Sequence, residues 1–202
     1  MVNIKKEIAI IVAMNDKGET VVYPPAEMIF DPVLNLLDYQ ISPAKIPQKI
    51  CWKAESIAKK LVQELKSPGL FAVELFVDEN ENIWVNETAP RVHNSGHHTI
   101  EANYCSQYDM LWRIMLQYPL GNSNAIMPSA IVNILGEDGY NGPAKYEGLD
   151  KVLQMENVFV HLYGKKETKP GRKMGHITIL NKDYTALVRS AHAIKSTLKV
   201  IA

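Results

Sequence analysis

Glu74 and Glu87 are the residues of this sequence best placed to share a cation. Glu87 lies in Val85-Asn86-Glu87-Thr88-Ala89-Pro90-Arg91-Val92-His93-Asn94-Ser95-Gly96-His97-His98-Thr99. That stretch gathers a carboxylate, an arginine, three histidines, two asparagines and a serine into one strand end and the loop after it. Glu74 lies inside the apolar run Phe71-Ala72-Val73-Glu74-Leu75-Phe76-Val77, where an ionised group costs free energy unless something pairs with it. A hard divalent cation such as magnesium takes a few carboxylate oxygens and keeps positions open for phosphate. Two glutamates on neighbouring strands, with Asn86 beside one of them, fit that need. The structural alternative is a Glu74 that faces solvent on a half-exposed hairpin.

The loop after Glu87 adds anion chemistry. Arg91 can hold an oxyanion in bidentate fashion. His93 can carry a proton or donate a hydrogen bond near neutral pH. Asn94-Ser95-Gly96 lets main-chain amides approach a small anionic ligand. The alternative is a polar loop that caps the next helix. A zinc site from His93, His97 and His98 lacks both a cysteine and a helical His-x-x-x-His. Further on, Lys165 to Lys173 carries five basic residues, one acid and a Pro-Gly turn before Arg172, so it can grip a phosphate or simply be a solvated loop. No Gly-x-x-x-x-Gly-Lys-Ser/Thr and no other glycine-rich phosphate loop occurs. A nucleotide bound here would receive metal ligands from this chain but no cover over its phosphates.

Strands and helices must bring these residues together. Glu7 to Ala13 is a short β-branched run and reads as a strand, Asn15-Asp16-Lys17-Gly18 as a turn, and Thr20 to Tyr23 as the returning strand. Residues 26 to 46 carry no clean period, and prolines at 32 and 43, with one at 47, keep them from being one helix. Gln48 to Lys66 places Ile50, Ala54, Ile57, Ala58, Leu61, Val62 and Leu65 at helical spacing. Phe71 to Asp78 and Ile83 to Glu87 predict a hairpin about Glu79-Asn80-Glu81-Asn82, with Asp78 opposite Ile83 and Glu74 opposite Glu87. Like charges directly opposed repel, and a cation reverses that sign. Tyr104 to Tyr118 predicts a helix. Ala130 to Leu135, Val158 to Tyr163 and Met174 to Leu180 predict strands, and Asp183 to Val200 a final helix. The character changes near residue 125, which divides residues 1–125 from a small β-rich part, 126–202.

The 202 residues suffice for one large or two small domains, and with 47% hydrophobic and 22% charged residues a packed core is expected. A formal net charge of +0 argues against nucleic acid as a partner. No apolar run spans a bilayer, and Met1-Val2-Asn3-Ile4-Lys5-Lys6 lacks the apolar core of a signal peptide. Cys51 and Cys105 match no metal spacing and read as free thiols of a reducing cytoplasm.

The run around Glu74, the segment Asn86 to His97, and Lys169-Pro170-Gly171-Arg172-Lys173-Met174-Gly175-His176 stand in this order in one family. They resemble the C-terminal half of the 5-(carboxyamino)imidazole ribonucleotide synthases, ATP-grasp ligases of purine biosynthesis, over nearly the whole chain. The resemblance implies an α+β fold: an ATP-grasp C-terminal lobe of antiparallel sheet and flanking helices, followed by the small β-rich subdomain with its terminal helix. It also implies substrates. ATP phosphorylates bicarbonate to carboxyphosphate, and the amine of 5-aminoimidazole ribonucleotide captures the carboxyl group or the carbon dioxide released from it. Glu74 and Glu87 would hold Mg2+ (or Mn2+) on the ATP phosphates, with Asn86 beside them. Arg91 would stabilise the bicarbonate-derived anion. His93, Asn94 and Ser95 would line the ribonucleotide pocket, with His93 closest to the reacting amine, and Lys165 and Arg172 would hold the 5′-phosphate.

Against that pattern the family's N-terminal domain and first ATP-grasp lobe have no counterpart. Met14 stands where relatives often have arginine, and Phe30 where they often have histidine. The expectation is a C-terminal fragment, a truncated product or one half of a split enzyme, inactive or nearly so alone. A separate N-terminal half and a second copy of the chain are its candidate protein partners. Two other functions compete. One is a fragment of the formate-dependent glycinamide ribonucleotide transformylase, whose loop tends to read Pro-Arg-Pro-His-Asp-Thr-Gly, with aspartate where this chain has Asn94. The other is a non-catalytic ribonucleotide-binding module.

Overall fold

The structure is a computed structural model and describes residues 3–30 and 37–202. The chain forms two compact units, Met1–Ile29 with Gln40–Met127, and Phe30–Tyr39 with Pro128–Ala202.

The chain first runs through β1 (Ile4–Met14), β2 (Thr20–Val22), β3 (Ala26–Phe30), β4 (Leu37–Ser42), α1 (Gln48–Glu64), β5 (Gly69–Asp78), β6 (Ile83–Ala89), α2 (Thr99–Ala102) and α3 (Gln107–Met115), all in the first unit except Phe30 and Leu37–Tyr39, which belong to the second. The centre of the first unit is β1, antiparallel to β2 and β3 along one edge and to β5 along the other, with β6 antiparallel to β5. Ile8 to Met14 are all buried, as a strand covered on both faces requires. Alternation sends Ile8, Ile10 and Val12 to one face, with Val73, Leu75 and Val77 of β5. There Ile50, Ala54, Ala58 and Val62, one i, i+4 stripe of α1, close over them. The other face presents Ile11, Ala13, Leu70 and Ala72 to Tyr23, Cys105 and Met110. Glu74 shares this second face because it lies two residues from Ala72. Its partner on β1 is Ala9.

The second unit holds β7 (Ser129–Leu135), β8 (Gly142–Pro143), β9 (Lys145–Glu147), α4 (Leu149–Leu153), β10 (Val158–Leu162), β11 (Glu167–Thr168), β12 (Lys173–Leu180), α5 (Tyr184–Thr197) and β13 (Lys199–Ile201). β12 is antiparallel to both β10 and β7, and α5 packs on β7 and β12. Two short ladders, β11 with β8 and β13 with β9, complete it.

The α+β, antiparallel architecture expected from the sequence is present, with local corrections. Residues 26–46, read as irregular, contain β3 and β4; the part of that segment at 31–36, with Pro32, lies outside the described residues. The helix expected from Tyr104 begins at Gln107. The Ser106 side chain caps it by accepting from the Asp109 N–H at 3.1 Å, while Asn103 is held in a bridge to Ala125. The helix expected to Val200 stops at Thr197, because Leu198 turns extended and β13 pairs with β9.

Candidate metal and substrate site

The β5–β6 hairpin decides where the two glutamates meet. Its turn is one residue longer than the spacing suggested: Val77, not Asp78, faces Ile83. Asp78 instead closes the turn. It accepts from the Asn80 and Asn82 amides at 2.9 and 2.8 Å and from the Trp84 indole at 3.0 Å. The Trp84 bond foremost holds its carboxyl below the usual range. A regular ladder from that register would set Glu74 against Asn86 and turn Glu87 to the other face. A bulge between Glu74 and Leu75 prevents this. Leu75 pairs with Val85, and Glu74 pairs with Glu87, so Asn86 is the extra residue. Bulges of this kind re-aim side chains beside functional sites. The opposition of Glu74 and Glu87 is therefore present, by a route the sequence did not reveal.

The loop after β6 brings His93 to the same place. Its imidazole Nδ1 lies 3.9 Å from Glu74 Oε1. One ligand atom from each of Glu74, Glu87 and His93 lies within 4.8 Å of the others. Two ligands about 2.1 Å from one magnesium are separated by at most about 4.2 Å, so a small side-chain adjustment brings the carboxylates onto one ion. His93 Nδ1 also lies 2.9 Å from the Ser95 hydroxyl and accepts from the Ser95 N–H at 3.4 Å. These contacts favour the tautomer with its proton on Nε2.

Asn94, Ser95 and Gly96 form a single 3-10 turn. Ser95 is buried and turned to His93, and the buried Asn94 side-chain oxygen has no hydrogen-bond partner. Arg91 is exposed and donates to the Val92 carbonyl at 3.0 Å. His97 stacks on Tyr108 with ring centroids 6.0 Å apart. His98 is buried, and desolvation pushes it down to about 4, which keeps the ring neutral. The three histidines do not form one cluster, and among the described residues His93 alone joins the carboxylates.

Two glutamines that the sequence did not flag support this loop. Gln107 is fully buried; it accepts from the His93 N–H at 2.9 Å and donates to the His93 carbonyl at 2.9 Å and to His97 Nδ1 at 3.1 Å. Gln40 donates to the Ser95 carbonyl at 2.9 Å. No spacing rule finds such residues, which lie 14 and 55 positions from their partners.

In the second unit Lys165 and Arg172 flank one basic loop. Lys169 to Arg172 is a closed turn, with the Arg172 N–H on the Lys169 carbonyl at 3.0 Å and Gly171 at φ 68°. Proline then glycine in the middle positions is what a type II turn requires. Arg172 donates to the Glu167 carbonyl at 3.2 Å. Lys165 donates to the Lys173 carbonyl and lies 5.8 Å from the centre of the Tyr163 ring. Met14 is buried in the apolar cluster under α1.

The antiparallel sheet and its flanking helices match the ATP-grasp fold. Residues 1–108 match the ATP-grasp domain, and the chain belongs to that family. Residues 129–190 match the phosphoribosylaminoimidazole carboxylase C-terminal domain. The N5-carboxyaminoimidazole ribonucleotide synthase of Bacillus subtilis (strain 168) is 38% identical over 179 residues, 89% of this chain and 45% of the relative. The crystal structure of the synthetase of that name from Thermotoga maritima superposes with a TM-score of 0.94 at 42% identity, covering 100% of this chain and 54% of the other. The synthase of Aspergillus clavatus, solved with ADP and 5-aminoimidazole ribonucleotide, gives 0.87 at 31% identity over 98% of this chain and 52% of the other. The chain spans about half the length of the relatives it matches.

Proposed function

We propose that this chain supplies the metal- and substrate-holding part of an ATP- and bicarbonate-dependent ligase that converts 5-aminoimidazole ribonucleotide to its N5-carboxy form in purine biosynthesis. The observation that carries this reading is the meeting of Glu74, Glu87 and His93 at one point, in a chain whose relatives carry that activity in their names. Glu74 and Glu87 would hold magnesium, or manganese, with Asn86 beside them, and that ion would supply neutralisation of charge that develops on phosphate oxygens. Arg91 faces the bicarbonate-derived anion, which a fixed cation stabilises better than water does. His93 stands nearest the reacting amine, with Ser95 holding its Nδ1 so that Nε2–H points outward as a donor. Asn94 and Ser95 line the ribonucleotide pocket beside it. Lys165 and Arg172, on a loop whose backbone is already closed, take the 5′-phosphate. In functional terms residues 1–125 carry the metal and the substrate loop, and 126–202 form the accessory subdomain. A separate N-terminal half, or a second copy of the chain, is the protein partner, and the two free thiols suit a cytoplasmic setting. No helix among the described residues is long and apolar enough to cross a membrane.

Isothermal calorimetry separates this reading from its rivals. The expected result is binding of 5-aminoimidazole ribonucleotide that weakens at least tenfold in Arg172→Ala. Preference for glycinamide ribonucleotide would favour the transformylase instead. Ribonucleotide binding with no magnesium-dependent nucleotide binding would favour a non-catalytic module. No binding of either ribonucleotide would contradict the proposal.

A further inference from the structure

The His93 imidazole depends on its own backbone, and that backbone belongs to no strand or helix. It is the cap residue of a three-residue 3-10 turn. Both of its main-chain groups meet the side chain of Gln107, with the N–H on Oε1 and the carbonyl on Nε2, each at 2.9 Å, and the carbonyl also accepts from the Gly96 N–H at 3.0 Å. The second amide proton reaches His97 Nδ1 at 3.1 Å, so both amide protons are used.

Gln107 is itself fixed at the start of α3. Its N–H donates to Thr99 Oγ1 at 2.8 Å, and Thr99 Oγ1 donates to the Gly96 carbonyl at 2.6 Å. The fit leaves no spare room: a Cβ on Gly96 would lie 2.4 Å from Gln107 Oε1. A buried amide that bonds two main-chain groups acts as a missing strand partner, and without it the His93 N–H loses its partner, which is costly.

We propose that Gln107 is the positioning residue of this site, setting the place and tautomer of the His93 imidazole beside Glu74 and Glu87. Its importance for catalysis rests on the function proposed above; its structural effect does not.

The test reads the His93 ring nitrogens by 15N NMR in the full chain, without metal. Wild type should show Nδ1 as acceptor and Nε2 protonated. Gln107→Leu removes the amide, and Gly96→Ala pushes it aside while leaving it present, so either variant suffices if the other fails to fold. Each should move the His93 nitrogens toward a mixture of tautomers. The double variant should be no worse than the more severe single one, because both act through one contact. Leu187→Ala, a buried position in the second unit, should leave the His93 signals unchanged even where it lowers the melting temperature.

Unchanged His93 signals in a folded Gln107→Leu or Gly96→Ala protein would overturn the proposal, as would strictly additive effects. Calorimetry with 5-aminoimidazole ribonucleotide provides a separate arm. A chain whose His93 signals respond as expected, but whose wild type binds no ribonucleotide, keeps Gln107 as a positioning residue and loses the proposed function.

Discussion

At Glu87 one side chain has opposite effects with and without a cation. Metal-free, it faces Glu74 across the hairpin, and directly opposed like charges destabilise by a few tenths to about 1 kcal/mol. With magnesium bound, the same pair holds the ion, and the ligand stabilises the folded state by mass action. Glu87→Gln is therefore expected to unfold at slightly higher urea than wild type in chelator, gaining about 0.5 kcal/mol, and to be the less stable protein in millimolar magnesium. Urea titrations under the two conditions check this, and an unchanged order of stability would count against a shared cation. Arg91, His93, Asn94 and Ser95 were legible as a group from residue type alone. Their division of labour was not, because only the fold shows that Ser95 turns inward to His93 while Arg91 stays exposed.

At the scale of elements, the hairpin shows what sequence can and cannot specify. Two apolar runs and a four-residue polar gap were enough to predict β5, β6 and the facing glutamates. They did not reveal that Asp78, bonded to Trp84, joins the turn and lengthens it by a residue, or that a bulge at Asn86 corrects the offset. Helix α1 was readable because its i, i+4 stripe is uninterrupted. β3, β4 and β13 were not, since segments of three to six residues take their conformation from partners distant in sequence. The bulge makes its own prediction. Deleting Asn86 leaves Glu74 opposite Glu87 in a regular ladder but removes the residue that re-aims the strand. Mn2+ affinity should fall at least tenfold, while circular dichroism and the melting temperature stay close to wild type. Unchanged affinity would mean that the bulge aims nothing.

For the whole molecule, the buried imidazole of His98 should govern behaviour in mild acid. Its folded value, about 4, lies below its ordinary 6.5, so between these values the unfolded chain binds the extra proton. Stability from this group is fully present above 6.5 and is lost as pH falls toward 4, by on the order of 3 kcal/mol. Asp78, held low by Trp84, Asn82 and Asn80, has the same sign further down: its contribution is present above the usual carboxylate range and disappears on stronger acidification. Chemical unfolding from pH 7 to 4.5 should show the steep loss in wild type and a shallower one in His98→Gln. Equal slopes would show that His98 is not the titrating group.

Whether one ion is shared by two acids on adjacent strands is read by Mn2+ titration followed by electron paramagnetic resonance. The account predicts one bound ion per chain, lost at least tenfold (about 1.4 kcal/mol) in Glu74→Gln and again in Glu87→Gln. The double variant should be little worse than either, because both acids hold the same ion. Wild-type affinity in either single variant, or two separate sites each abolished by only one of them, would contradict it.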